Sequence, residues 1–177
     1  EWFETPLSGH LYYLGLDIGK LEDFTVVCVV DRMSHRLVGF YRVNQMSWDY
    51  MRKKVLDISR RYNDAEITLD ATGHGGDMFA ENLAEIGANI NTEFKYTNKT
   101  KGMLMDKLSL LMERGKIRFP RIPVLIDEIR SFTYHITDRG NVILGSSRHD
   151  DTVNSMALAC WNLNDDPLEN TADYNIY

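Results

Sequence analysis

Leu11-Tyr-Tyr-Leu-Gly-Leu-Asp-Ile18 is an apolar run closed by Gly19 and broken by one acid, Asp17. A short run of this kind bounded by turn residues reads as a buried strand. Working outward, Asp23 to Val30 (Asp-Phe-Thr-Val-Val-Cys-Val-Val) is β-branched and apolar, so it reads as a central strand. Asp31 to His35 makes a turn, and Arg36 to Val43 alternates as a third strand. Three successive strands joined by tight turns predict an antiparallel meander.

Downstream the pattern changes to alternating helix and strand. Ser47 caps a helix running to about Tyr62, with Trp48, Met51, Val55 and Ile58 on one face. Glu66 to Asp70 is a strand ending in an acid, followed by the glycine-rich loop Ala71 to Gly76. Asp77 opens a helix carrying Met78, Phe79, Leu83 and Ile86, and Gly87 stops it. Asn89 to Phe94 is the fifth strand, and a helix from Thr100 to Gly115 follows. Val124 to Phe132 reads as helical. Thr133 to Ile136 and Asn141 to Leu144 flank Asp138-Arg139-Gly140 as a β-hairpin. Asp151 opens the last helix, which runs through Leu163. A meander followed by βαβ crossovers gives an α/β fold: a mixed five-stranded sheet with helices on both faces and an added hairpin. Residues 1–10 are a lead-in, 11–164 a single domain, and 165–177 an acidic, polar tail.

The chain has 177 residues, 44% of them hydrophobic and 26% charged, a balance that excludes long disorder and collagen-like sequence. No apolar run is long enough to span a bilayer, and the start has no basic region leading an apolar core. The abrupt beginning suggests a fragment of a longer polypeptide. Cys28 and Cys160 lie inside apolar runs and read as buried thiols of a reducing compartment. The net charge of −6 argues against a general nucleic-acid binder. Yet Lys95 to Arg121 holds eight basic residues against two acids, which fits a polyanion contact confined to one face or a solvated helix surface.

The acids carry the chemistry. Asp17 interrupts an apolar strand, where a charge is costly unless paired or bound to metal. Asp70 terminates a second strand, and ligands gather outside strand ends in open α/β sheets. Asp150 and Asp151 begin the last helix after His149. If the first and fourth strands are neighbours and that helix crosses them, three acids converge. Such a set suits Mg²⁺ or Mn²⁺, and two ions about 3.5–4 Å apart serve phosphodiester hydrolysis. Asp150 alone also reads as a helix cap, and Asp70 alone as a turn residue.

Three blocks then resemble the nuclease domain of the large terminase subunit of tailed bacteriophages, a ribonuclease H-like family. They are Leu14-Gly-Leu-Asp-Ile-Gly-Lys20 with Asp23-Phe-Thr-Val-Val27, Ile67-Thr-Leu-Asp-Ala-Thr-Gly73, and His149-Asp-Asp-Thr-Val-Asn-Ser-Met-Ala-Leu158. The resemblance implies metal-dependent endonuclease activity on double-stranded concatemeric viral DNA during packaging. It carries metal-binding roles onto Asp17, Asp70 and Asp151, with Asp150 as an auxiliary. Many relatives have an acid where this sequence has Asn154, which implies a weaker second metal position. The resemblance also implies an ATPase motor in the same parent polypeptide, with the small terminase subunit and portal as partners. The expected location is the infected host's cytoplasm. No ATP-binding loop occurs in the chain.

Lys95, Lys99, Lys101, Arg139 and Arg148 are candidate DNA contacts or plain surface residues. His149 either orients the site or neighbours the cap, and Lys20 and Asp23 support the first acid or shape a turn. Met103, Met105 and Met112 read as core filler. The same acids also fit a Holliday-junction resolvase, and a third alternative is a ribonuclease H-like domain that binds DNA or a portal without cutting.

Overall fold

A computed structural model describes residues 1–19, 23–136, 142–145 and 149–164. The meander is β2 (Tyr12–Asp17), β3 (Thr25–Asp31) and β4 (Arg36–Val43), each antiparallel to the next. After α1 (Trp48–Arg61), β5 (Glu66–Asp70) pairs parallel to β2, with Leu14 opposite Ile67 and Leu16 opposite Leu69. After α2 (Gly73–Glu85), β6 (Ile90–Phe94) pairs parallel to β5. The expected mixed sheet is therefore present, with one addition. Trp2–Phe3, inside the lead-in, form a short strand β1 along the outer edge of β4, giving the order β1-β4-β3-β2-β5-β6. The alternation of Trp2–Phe3 is too short to register as a strand by pattern.

Side chains alternate across the sheet and bury two cores. Leu14, Leu16, Val27, Val29 and Ile67 meet Met51, Val55, Phe79 and Leu83 of α1 and α2. Val26, Cys28, Val30 and Phe94 meet the other three helices on the opposite face. These are α3 (Asn98–Glu113), α4 (Pro123–Ser131) and α5 (Asp151–Cys160). Both cysteines are buried on this second face, and burial raises both thiol pKa values. Among the described residues no helix is long and apolar enough to cross a membrane.

Several boundaries differ from the sequence reading. Helix α2 starts at Gly73, so the glycine stretch is its first turn and not a loop. Helix α3 starts at Asn98, and Thr100 is the third residue of a reciprocal capping box with Thr97. Trp48, Met78, Ile86 and Met103 are exposed, while Met105 is buried, so the apolar faces are narrower than their spacing implied. Strands β7 (Thr133–Ile136) and β8 (Val142–Gly145) form a separate antiparallel pair. The expected turn with Arg139 lies outside the described residues, as do Lys20, Arg148 and the 165–177 tail.

Candidate metal centre

The site begins with a residue that has no side chain. On β2, Gly15 and Asp17 point to the face covered by α5. A Cβ added at Gly15 would lie 2.0 Å from the Ser155 carbonyl oxygen and 2.3 Å from the Ala159 nitrogen. The glycine therefore lets α5 rest on the strand backbone, where the Ser155 hydroxyl donates to the Gly15 carbonyl at 3.0 Å. That contact brings the first turn of α5 beside the end of β2. Strand β5, the parallel neighbour of β2, ends next to it at Asp70.

The result is a cleft of about 260 Å³ lined by Asp17, Asp70 and Asp151, with Asp23, Tyr96, Lys101 and Asn154 around them. Asp17 is buried and takes a hydrogen bond on Oδ2 from Asn154 Nδ2 at 3.1 Å. The same amide group donates to Asp150 Oδ1 at 3.1 Å. Asp70 Oδ1 accepts from the Thr72 N–H at 2.8 Å, which fixes the carboxylate against the start of α2. Asp151 Oδ2 accepts from the Phe24 N–H at 3.4 Å. Asp150 lies beside the cleft, its Oδ2 on Lys101 Nζ at 2.8 Å.

Electrostatics mark the cluster as strained. Burial pushes the Asp17 carboxyl well above the usual range, and repulsion from Asp70 adds to it, followed by Asp151 and Asp150. The Asn154 hydrogen bond opposes this rise. Asp151 is raised to about 6, chiefly by burial, with Glu128, Asp23 and Asp150 repelling its charge. Among the described residues no three carboxylates, imidazoles or thiols close into a finished ligand cage. The donor set nevertheless fits a hard divalent cation: carboxylate oxygens from three elements, and the buried Asn154 Oδ1, which has no hydrogen-bond partner.

The remaining candidates sit at varied distances from this centre. Lys101 borders the cleft, whereas Lys95 is exposed and pairs with Asp77 at 2.9 Å. Lys99 is exposed in the first turn of α3. Asp23 lines the cleft rim. His149 is exposed, with Nδ1 3.8 Å from Asp151 Oδ2 and its ring perpendicular to that of Phe24 at 5.7 Å between centroids. Asp150 holds the cap position of α5, yet its side chain makes no capping bond, contrary to the sequence reading.

Two site residues escape sequence reasoning. Tyr96 brings a buried phenol with no hydrogen-bond partner to the cleft, held there by its N–H donating to Thr72 Oγ1 at 2.8 Å. Burial and the charges of Asp17, Asp70 and Asp150 push its pKa well up, so it stays a neutral donor. Glu128 of α4 is buried against the first turn of α5. Neither has a motif around it.

Comparisons with known proteins identify the family. The family model for the Terminase RNaseH-like domain matches residues 14–163. The large terminase subunits of Thermus virus P23-45 and Thermus phage G20c are 34% and 33% identical over 152 residues, 85% of this chain. The chain spans 31% of the length of each of those relatives. The crystal structure of the G20c large terminase nuclease with bound magnesium superposes with a TM-score of 0.86 at 32% identity. That match covers 91% of this chain and 86% of the other. The HK97 large terminase, at 16% identity and a TM-score of 0.69, shares the fold over 89% of this chain and 40% of its own. The chain belongs to the family of terminase RNaseH-like domains.

Proposed function

We propose that residues 11–164 are a metal-dependent endonuclease that cuts double-stranded, concatemeric viral DNA as genomes are packaged. The observation that carries this reading is the single cleft lined by acids from β2, β5 and α5, three segments far apart in sequence. Asp17, Asp70 and Asp151 would hold Mg²⁺ or Mn²⁺, with Asp150 in support. A pair of such ions supplies an activated water and stabilises the leaving oxygen of the phosphodiester. Structures of the G20c nuclease hold magnesium, cobalt or zinc, which supports divalent metal use.

The chain's own groups divide the remaining work. Asn154 orients Asp17 and Asp150 through one amide group. Lys101 offsets part of the negative charge at the cleft mouth. Tyr96 offers a hydroxyl donor from the wall. Lys99, with Arg139 and Arg148, would hold backbone phosphates and carry no sequence information, while Lys95 and Lys101, paired with Asp77 and Asp150, would add positive charge along the approach. The parent polypeptide would supply an ATPase motor, and the small subunit and portal would meet it in the host cytoplasm.

The test is cleavage of supercoiled plasmid in Mn²⁺. Nicked and linear products are expected from the wild type, and Asp70→Ala is expected to reduce them to background while remaining folded. Preference for a four-way junction over linear duplex would point to a resolvase. Binding without cutting in Mn²⁺ would leave only a DNA-binding module.

A further inference from the structure

An aspartate just before a helix ordinarily turns its carboxylate onto an N–H of the first turn. Asp150 does not, because both its oxygens are engaged elsewhere, by Lys101 Nζ at 2.8 Å and Asn154 Nδ2 at 3.1 Å. The first-turn N–H of Thr152 donates to Glu128 Oε2 at 2.8 Å, and the Thr152 hydroxyl donates to that same oxygen. Glu128 is 6% exposed and arrives from α4, which Leu125 anchors in the core beneath α5. A buried carboxylate is tolerated where donors and the positive end of a helix dipole meet it; here both Thr152 donors meet Oε2, while Oε1 is buried without a hydrogen-bond partner.

We propose that Glu128 takes over the cap of α5 and thereby leaves Asp150 and Asp151 turned toward the cleft. Glu128 is thus a positioning residue for the acid pair. Without it the Thr152 N–H loses its acceptor, and the nearest replacement by chain position is the Asp150 carboxylate. Capping by Asp150 would draw it off Lys101 and Asn154. Asn154 would then be less firmly held beside Asp17, because its amide ties the two acids together. The coupling runs from α4 through α5 to β2 along hydrogen bonds. This inference rests on the metal-centre reading above and adds a residue that no ligand set would include.

The experiment is calorimetric titration of Mn²⁺ into wild type, Glu128→Ala and Glu128→Gln, each melted separately in EDTA. Glu128→Ala is expected to weaken Mn²⁺ binding about tenfold or more, the scale of lost support behind metal ligands. Glu128→Gln is expected to stay close to wild type, because its amide oxygen accepts from both Thr152 donors. A merely structural role would lower the alanine variant's melting temperature and leave its Mn²⁺ affinity at the wild-type value, which overturns the proposal. Equal losses in the alanine and glutamine variants also overturn it. Should Glu128→Ala not fold, Glu128→Asp retracts the acceptor by one methylene while keeping the charge. Weaker Mn²⁺ binding by that folded variant supports the proposal, and unchanged binding refutes it. A wild type that binds no Mn²⁺ sinks the metal-centre reading together with this one. Wild-type binding and cutting beside an unaffected Glu128→Ala sink this one alone.

Discussion

Asp17 is the residue on which the site's electrostatics turn. Its carboxylate loses hydration at the end of β2 and faces Asp70, Asp151 and Asp150, with one amide hydrogen bond in compensation. The folded chain therefore holds a proton there more tightly than the unfolded chain does. By linkage, a group with a raised folded pKa favours the fold at low pH and weakens it as pH rises. Asp151 has the same sign, and its window runs from 3.8 to about 6. Asp17→Asn should accordingly raise the melting temperature measured in EDTA at pH 7, by about 2–4 °C per kcal/mol of repulsion relieved. It should also shrink the stability gain on acidification from neutral pH toward pH 5, while abolishing Mn²⁺ binding. A lower melting temperature for Asp17→Asn in EDTA would show that the carboxylate is not strained by its neighbours. The acids were legible in the sequence because each breaks a pattern: Asp17 an apolar run, Asp70 a strand end, Asp151 a helix start. Glu128 and Tyr96 break none. Glu128 follows Asp127 on an amphipathic helix and reads as a solvated acid until α5, from 24 residues on, covers it. Tyr96 reads as an aromatic in a loop until Thr72 ties it to the cleft wall.

At the level of elements, the site depends on how closely α5 and α2 approach the sheet. Gly15 looks like a weak point in a strand, since glycine there has no side chain to pack. Its value lies in the space it leaves, because an added Cβ would strike backbone atoms of Ser155 and Ala159. Gly76 plays the same part in α2, where a Cβ would lie 2.7 Å from the Ala71 carbonyl carbon. The helix can thus begin three residues after Asp70. Glycine propensity alone argued for a loop there, and tertiary packing overrode it. The meander and the βαβ crossovers were readable from the apolar runs, whereas the pairing of β2 with β5 and the crossing of α5 entered only as a condition, and these contacts depend on distances no periodicity encodes. Gly15→Ala should cost about 3 kcal/mol through overpacking. Thermal melting should then fall by roughly 6–12 °C. The folded fraction should also bind Mn²⁺ more weakly, since α5 must lift from β2 and carry Asp151 and Asn154 with it. An unchanged melting temperature would mean that α5 does not rest on the strand backbone.

For the whole molecule, the proposed function raises the question of how a chain of net charge −6 would receive a polyanion at a cleft of carboxylates. The basic excess between Lys95 and Arg121 is only partly available for that purpose. Lys107 Nζ donates to the Trp161 and Leu163 carbonyls, closing the C-terminal end of α5, where a cation complements the helix dipole. Lys95 is held by Asp77, and Lys101 by Asp150. Lys99 is exposed in the first turn of α3, whose N-terminus adds partial positive charge for a phosphate. The two lysines of one helix therefore have separable roles. Lys99→Ala should weaken binding to unrelated duplexes alike and lower the slope of log affinity against log salt by about one. Lys107→Ala should leave that slope unchanged and lower the melting temperature, because its ammonium serves the fold. Fluorescence anisotropy of labelled duplexes across a salt series, beside thermal melts, separates the two. A Lys99→Ala variant with the wild-type salt slope would mean that α3 does not face the DNA, and the approach path would then have to be sought on another side of the cleft.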